Sequence, residues 1–260
     1  MTNYQFLQTY LELQSGIAFD ELIDLGFATV CHSKVDSSSF WNNALVNTVL
    51  SDDQIHQVAT KLTTLSRKPA FYFENRDDLK SLADKFARIG YEQDAEDSLM
   101  FYSGSEVSES DLGTVKEVQA EGDLHTFIDV FDHCYQKDDP KNPYGELGEY
   151  LKSATEAWKN HRASGRIAYF IAYKDSEPVA VSALTSYKGI GYISNVGSLR
   201  SVRGEGFGKQ ATLWCVSQSQ KQGNTMHCLA TEEGTNPNAF YKSIGFQTRF
   251  TAKLMIKKEL

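Results

Sequence analysis

Between Arg203 and Lys209 three glycines stand at alternate positions, 204, 206 and 208. Apolar Ala211, Leu213 and Val216, with Trp214 and Cys215 widening the same face, give the next segment helical character, so the glycines sit where a helix opens. The first amides of a helix lack intrahelical partners and carry the positive end of its dipole. Glycines strip away the side chains that would hold a phosphate off those amides. A P-loop would need Ser or Thr after Gly208-Lys209, where Gln210 stands, and a dinucleotide fingerprint would need another glycine spacing early in a repeated βαβ unit. Downstream, Glu232 and Glu233 follow the extended run Thr225–Thr231, and Tyr241 stands four residues before Gly245. A carboxylate can relieve an ammonium of its proton, and a phenol of ordinary pKa about 10 can donate to a leaving anion at neutral pH.

The pattern Arg203-x-x-Gly206-x-Gly208 resembles the R/Q-x-x-G-x-G/A pyrophosphate signature of the GNAT superfamily of acyl-CoA-dependent N-acyltransferases. The later segment Glu232 to Phe246, ending Tyr241-x-x-x-Gly245-Phe246, is similar to that family's late helix and exit turn. The resemblance covers Val115 to Lys258 and implies an α/β fold with a mixed sheet, the acyl-CoA N-acyltransferase fold. It also implies acetyl-CoA as co-substrate and no metal. By this likeness the backbone at Val196, Gly197 and Ser198 would pair with the pantetheine arm like an added strand. Arg203, Gly204, Gly206, Phe207, Gly208 and Lys209 would hold the pyrophosphate, and Asn236 or Asn238 would touch the cofactor arm. Tyr241 would assist departure of the thiolate, and Glu232 is the first candidate for the base, with Glu233, Asp132 and His133 as alternatives. The activity implied is direct transfer of an acetyl group to a primary amine of a small molecule or peptide. The alternative is a non-catalytic CoA-binding regulator or docking protein. Two departures stand out: Asn236-Pro237-Asn238-Ala239-Phe240-Tyr241 is compact against the usual N-x-x-A-x-x-x-Y, and Ser194-Asn195 replace an acidic residue before the loop.

Composition bounds the rest. The 260 residues are 41% hydrophobic, enough for one large or two modest cores. Cys31, Cys134, Cys215 and Cys228 show no C-x-x-C spacing and lie among apolar neighbours, which predicts buried free thiols and a cytoplasmic setting. A formal charge of −8 without a basic stripe argues against a nucleic-acid partner. With no apolar run long enough for a bilayer and no basic, apolar leader, neither insertion nor export is expected. Oligomeric state is not legible.

The elements around the glycine turn are predicted as follows. Tyr4–Leu25 reads as helical, with strands at Phe27–Cys31 and Phe40–Val46 and a helix starting at Ser51-Asp52-Asp53. A strand at Pro69–Phe73, a helix at Leu79–Arg88 stopping at Gly90, and a strand at Ser98–Tyr102 precede the polar Ser103–Asp111, the best linker candidate. Then come a strand at Val115–Val118, helices at Asp123–Tyr135 and Glu146–Trp158, and a hairpin of Ile167–Tyr173 with Pro178–Ser186. Offsets recur between the halves: Asp52 to Pro69 is matched by Gly206 to Thr225, and Pro69 to Gly90 by Thr225 to Gly245. The reading is two related domains in tandem, 1–110 and 111–260. The first is a degenerate, structural or substrate-shaping copy, because Ser51-Asp52-Asp53 puts carboxylates where a phosphate would bind, and Phe86 takes the place corresponding to Tyr241.

Overall fold

A computed structural model of the chain describes residues 1–258. In order, the elements are α1 (Asn3–Gln14), β1 (Glu21–Asp24), β2 (Ala28–His32), β3 (Ala44–Val46), α2 (Asp52–Thr64), β4 (Ala70–Glu74), α3 (Lys80–Arg88) and β5 (Tyr91–Tyr102). There follow β6 (Thr114–Glu117), α4 (Glu121–Cys134), α5 (Tyr150–His161), β7 (Ile167–Lys174), β8 (Glu177–Tyr187), β9 (Ile190–Ser198), α6 (Phe207–Lys221), β10 (Met226–Glu232), α7 (Asn236–Ser243) and β11 (Phe246–Lys257). Among these residues no helix is long and apolar enough to cross a membrane.

The chain forms two compact units, one of Met1–Leu99 with the chain from Arg249 onward, the other Met100–Thr248. These bounds differ from the division at 110/111 in two ways. The first unit ends inside β5, and most of β11 returns to it, pairing antiparallel with β4 from Ala252↔Glu74 to Ile256↔Ala70. Nor is Ser103–Asp111 a loose linker. Glu109 accepts from Gln218 and pairs with Lys221 at 2.6 Å, which ties the stretch to α6.

Each unit repeats one plan. In the first, β1 and β2 are antiparallel, as are β2 and β3, and β3 crosses over through α2 to a parallel β4. In the second, β7/β8 and β8/β9 are antiparallel, and β9 crosses through α6 to a parallel β10. The first core gathers Val30, Val46, Val58, Leu62, Phe71 and Phe86; the second gathers Phe170, Leu184, Ile193, Val216, Leu229 and Phe246.

Three elements depart from expectation. Glu21–Asp24, read as the end of a helical stretch, is a strand paired with β2, because α1 stops at Gln14 and the turn that follows carries Gly16 at φ +79°. The strand predicted from Phe40 begins only at Ala44. Asn42 and Asn43 spend their amides on the carbonyls of Asp36, Ser38, Ser39 and Phe40, which folds that segment into turns. β5 is longer than the predicted strand, since Gly90 at φ +84° ends α3 and extended structure starts immediately at Tyr91. All four cysteines are free and buried.

Candidate active site

The second unit is opened by the way β9 leaves β10. Their parallel pairing runs from Met226↔Ile190 to Cys228↔Tyr192 and goes no further, although β9 continues to Ser198 and β10 to Glu232. The facing edges beyond Tyr192 and Cys228 are therefore not tied to each other, while β9 keeps its other edge on β8 through Gly197↔Val181 and Ser198↔Ala180. Val196, Gly197 and Ser198 lie on this diverging stretch. Gly197 has a packing reason to be glycine: a Cβ there would come within 2.6 Å of the Cys134 Cβ on α4. The Val196 carbonyl accepts from the Tyr135 hydroxyl at 2.7 Å, so one of the groups expected to meet a pantetheine arm already has a partner.

The glycine turn follows directly. A 3₁₀ turn at Arg200–Val202 leads to Gly204 at φ +87° and Gly206 at φ +95°, and α6 begins at Phe207 with no side chain capping it. Both glycines hold conformations that a Cβ disfavours, though nothing lies within 4 Å of either Cβ position. The amides of Phe207, Gly208 and Lys209 are the leading N–H groups of α6, without carbonyl partners in the helix. Lys209 is exposed, and no partner for its ammonium occurs among the described residues.

Arg203, expected at the pyrophosphate, has a partner within the chain. Its guanidinium pairs with the buried Asp139, and the pairing lowers the Asp139 pKa, chiefly through that hydrogen bond. Arg200 pairs likewise with Asp138 at 3.0 Å. At the turn itself stand the uncapped amides of α6 and the exposed Lys209, while Arg203 is paired with Asp139. The two ion pairs instead fasten the segment between α4 and α5 beside the glycine turn.

That segment brings in residues for which the sequence offered no motif. Tyr144 bonds the Thr231 hydroxyl at 2.8 Å and accepts from the Glu232 amide at 3.3 Å, both at the end of β10. Tyr150, the first residue of α5, donates to Asn195 Oδ1 at 2.8 Å. With Tyr135 these phenols stand on both diverging strands. The one signal in the sequence was three tyrosines at 135, 144 and 150, from the end of one early helix to the start of the next.

Tyr241, on α7, is 9% exposed and packs against Phe240 and Phe246. Burial first, then the neighbouring Tyr144 and Cys215, push its pKa well up, so the phenol stays protonated at neutral pH. Among the described residues its hydroxyl has no hydrogen-bond partner. A phenol kept protonated, mostly buried and unpartnered is equipped to donate to something not supplied by the chain.

The remaining candidates separate. Asn238 is buried with its amide on Glu233 at 3.3 Å and on the Met100 sulfur at 3.7 Å, whereas Asn236 is exposed at the start of α7. Glu233 is also held by Lys242 at 3.2 Å. Glu232 is half-buried at the end of β10, beside Tyr144. His133 is exposed and bonded to the Asp129 carbonyl at 2.6 Å.

The corresponding place in the first unit is closed. Ser51 caps α2 in a reciprocal box: its hydroxyl accepts from the Gln54 amide at 3.2 Å, and Gln54 returns the bond to the Ser51 amide at 2.9 Å. Asp52 and Asp53 fill the first turn, and Lys85 answers Asp52 at 2.7 Å. Phe86 is fully buried against Phe71 at 4.4 Å between ring centroids.

Residues 124–246 match the profile of the Acetyltransferase (GNAT) family. No curated protein matches the sequence. Among solved structures, a GCN5-related N-acetyltransferase from Kribbella flavida is similar over 99% of this chain and 96% of its own, with a TM-score of 0.69 at 15% identity. A conserved protein of unknown function from Staphylococcus epidermidis aligns over 94% and 96% with a TM-score of 0.65 at 13% identity. A GCN5-related N-acetyltransferase from Sphaerobacter thermophilus aligns over 90% and 82% with a TM-score of 0.60 at 13% identity. At such identities these likenesses speak for the fold, and they extend across both units.

Proposed function

The chain carries a GNAT-family acetyltransferase domain, and from that premise we propose that it transfers an acetyl group from acetyl-CoA directly to a primary amine. The observation that carries this reading is the buried, protonated, unpartnered phenol of Tyr241, in the unit whose strands part ahead of an uncapped helix N-terminus. The residues present suit the co-substrate. Amides at Gly206 through Lys209 would receive its diphosphate, and the free stretch of β9 beyond Tyr192 would take the pantetheine arm alongside.

Each residue then has a bounded task. Bound together, amine and thioester need no covalent enzyme intermediate. Because a phenol is already a weaker acid than an ordinary thiol and burial raises the Tyr241 pKa further, surrender of its proton is uphill. Its part is to hydrogen-bond the departing sulfur, a bond that strengthens as negative charge collects there. Glu232, half-buried at the end of β10, is the proposed base, acting on the ammonium directly or through water. Asn236 is the asparagine proposed to meet the cofactor arm, because Asn238 is turned inward. The first unit, with its helix start capped by its own side chains, serves a structural or substrate-shaping role in this scheme.

Calorimetry with CoA and an assay for free thiol, run with acetyl-CoA against a panel of amines, test the reading. Uptake of CoA with amine-dependent thiol release supports it. Uptake without turnover across the panel favours a CoA-binding regulator, and absence of uptake by folded protein overturns both.

A further inference from the structure

Asn195 has no task in the scheme above, yet its backbone is costly. Other non-glycine residues at positive φ lie in turns: Asp175 and Ser176 between β7 and β8, Lys188 between β8 and β9, and Ser66 just past α2. Asn195, at φ +51°, lies inside a strand. The reason is a bulge. Ser194 pairs with Ala183 and Gly197 with Val181, so Asn195 and Val196 together oppose Ser182 alone. The bulge falls just past Tyr192, where β9 has parted from β10 and the acetyl end of the co-substrate would lie.

Neighbouring phenols hold this irregularity. The Tyr150 hydroxyl donates to Asn195 Oδ1 at 2.8 Å, and the Tyr135 hydroxyl takes the Val196 carbonyl at 2.7 Å. Asparagine tolerates the left-handed region better than most residues with a Cβ, but an extended strand still competes with it. A bond to Oδ1 that exists only in the bulged form shifts that competition. The Val196 carbonyl is thus engaged, and Val196 stands outside the one-to-one ladder with β8.

We infer that Tyr150 is a positioning residue: by clamping Asn195 it maintains the bulge that directs the Val196 N–H at the thioester carbonyl, without touching the co-substrate itself. This rests on the acyl-CoA reading. Phenylalanine at position 150 keeps the ring, which packs edge-on to Phe131 at 6.3 Å, and removes the hydroxyl that makes the clamp.

The test is calorimetric and needs no knowledge of the acceptor: CoA and acetyl-CoA are titrated into the full chain and its variants. Wild type is expected to bind acetyl-CoA more tightly than CoA. Tyr150→Phe should bind CoA within about two-fold of wild type but lose about five-fold of the preference for the acetylated form, the worth of one hydrogen bond. Adding Asn195→Gly to that variant should restore the preference, since glycine adopts positive φ without a clamp. Asn195→Ala alone should lose it, which provides a second reading if Tyr150→Phe folds poorly. Retention of the preference in Tyr150→Phe, or failure of Asn195→Gly to restore it in folded protein, overturns the inference. Wild type that binds CoA without preferring acetyl-CoA refutes the inference alone, whereas wild type that binds neither refutes the proposed function and the inference with it.

Discussion

Alanine at Gly206 and alanine at Gly208 should have opposite consequences, though only Phe207 separates the two glycines. Gly206 sits at φ +95° with open space around its missing Cβ, so Gly206→Ala meets no clash. Its cost is conformational, about 1–2 kcal/mol for holding a residue with a Cβ in the left-handed region. For a domain of this size that corresponds to a fall in Tm of about 2–8 °C. If the backbone relaxes instead, the leading amides of α6 turn away from where a diphosphate must sit. Loss of one charge-assisted bond of about 1.5–3 kcal/mol would then weaken CoA binding by about ten-fold or more. Gly208 is different: it lies in the first turn of α6 at an ordinary φ. A Cβ there would stand 3.6 Å from Ser198 Oγ and 3.7 Å from the Phe240 ring, which is ordinary van der Waals contact. Gly208→Ala should therefore be neutral, or stabilising by up to about 0.5–1 kcal/mol through reduced backbone entropy. Thermal and urea denaturation with CoA calorimetry measure both effects. The reasoning fails if Gly208→Ala is destabilised as much as Gly206→Ala, or if Gly206→Ala keeps both the stability and the CoA binding of wild type.

Three further outcomes follow from the same geometry. Tyr241→Phe should lower kcat by about 10²–10³. It should leave CoA affinity unchanged and Tm unchanged or slightly raised, because the hydroxyl it removes has no partner in the chain. A fall in CoA affinity with kcat intact would speak against the assigned role. The Asp139 pKa is depressed by Arg203, so this pair's contribution is complete above the ordinary aspartate value of about 3.9 and is lost as pH falls through the lower folded value. Acid unfolding of wild type should show that loss, and Asp139→Asn, already less stable at neutral pH, should not show it. Ser51→Ala should cost about 1 kcal/mol by chemical denaturation, through loss of the cap on α2, and leave CoA uptake untouched. Weakened CoA binding in that variant would mean that the first unit takes part in the site.

Some of this protein was decided by sequence alone because the physics involved is local. Three alternating glycines ahead of an amphipathic run specify an uncapped helix start, and Ser51 with Gln54 three residues on specifies a capped one. The contrast between the two units was thus legible before any packing was known. The repeated strand–helix–strand order was legible too, since apolar periodicity and the stop glycines Gly90 and Gly245 are carried by neighbouring residues. Tertiary structure decided what depends on partners distant in the chain. Arg203 is spent on Asp139, 64 positions earlier by residue number, and no local signal ties the two. Tyr150 meets Asn195, and Tyr144 meets Thr231, only because the segment between α4 and α5 folds back onto β9 and β10. The last strand joins the first unit because β4 offers it an edge, a pairing between residues about 180 apart that no window along the chain could contain.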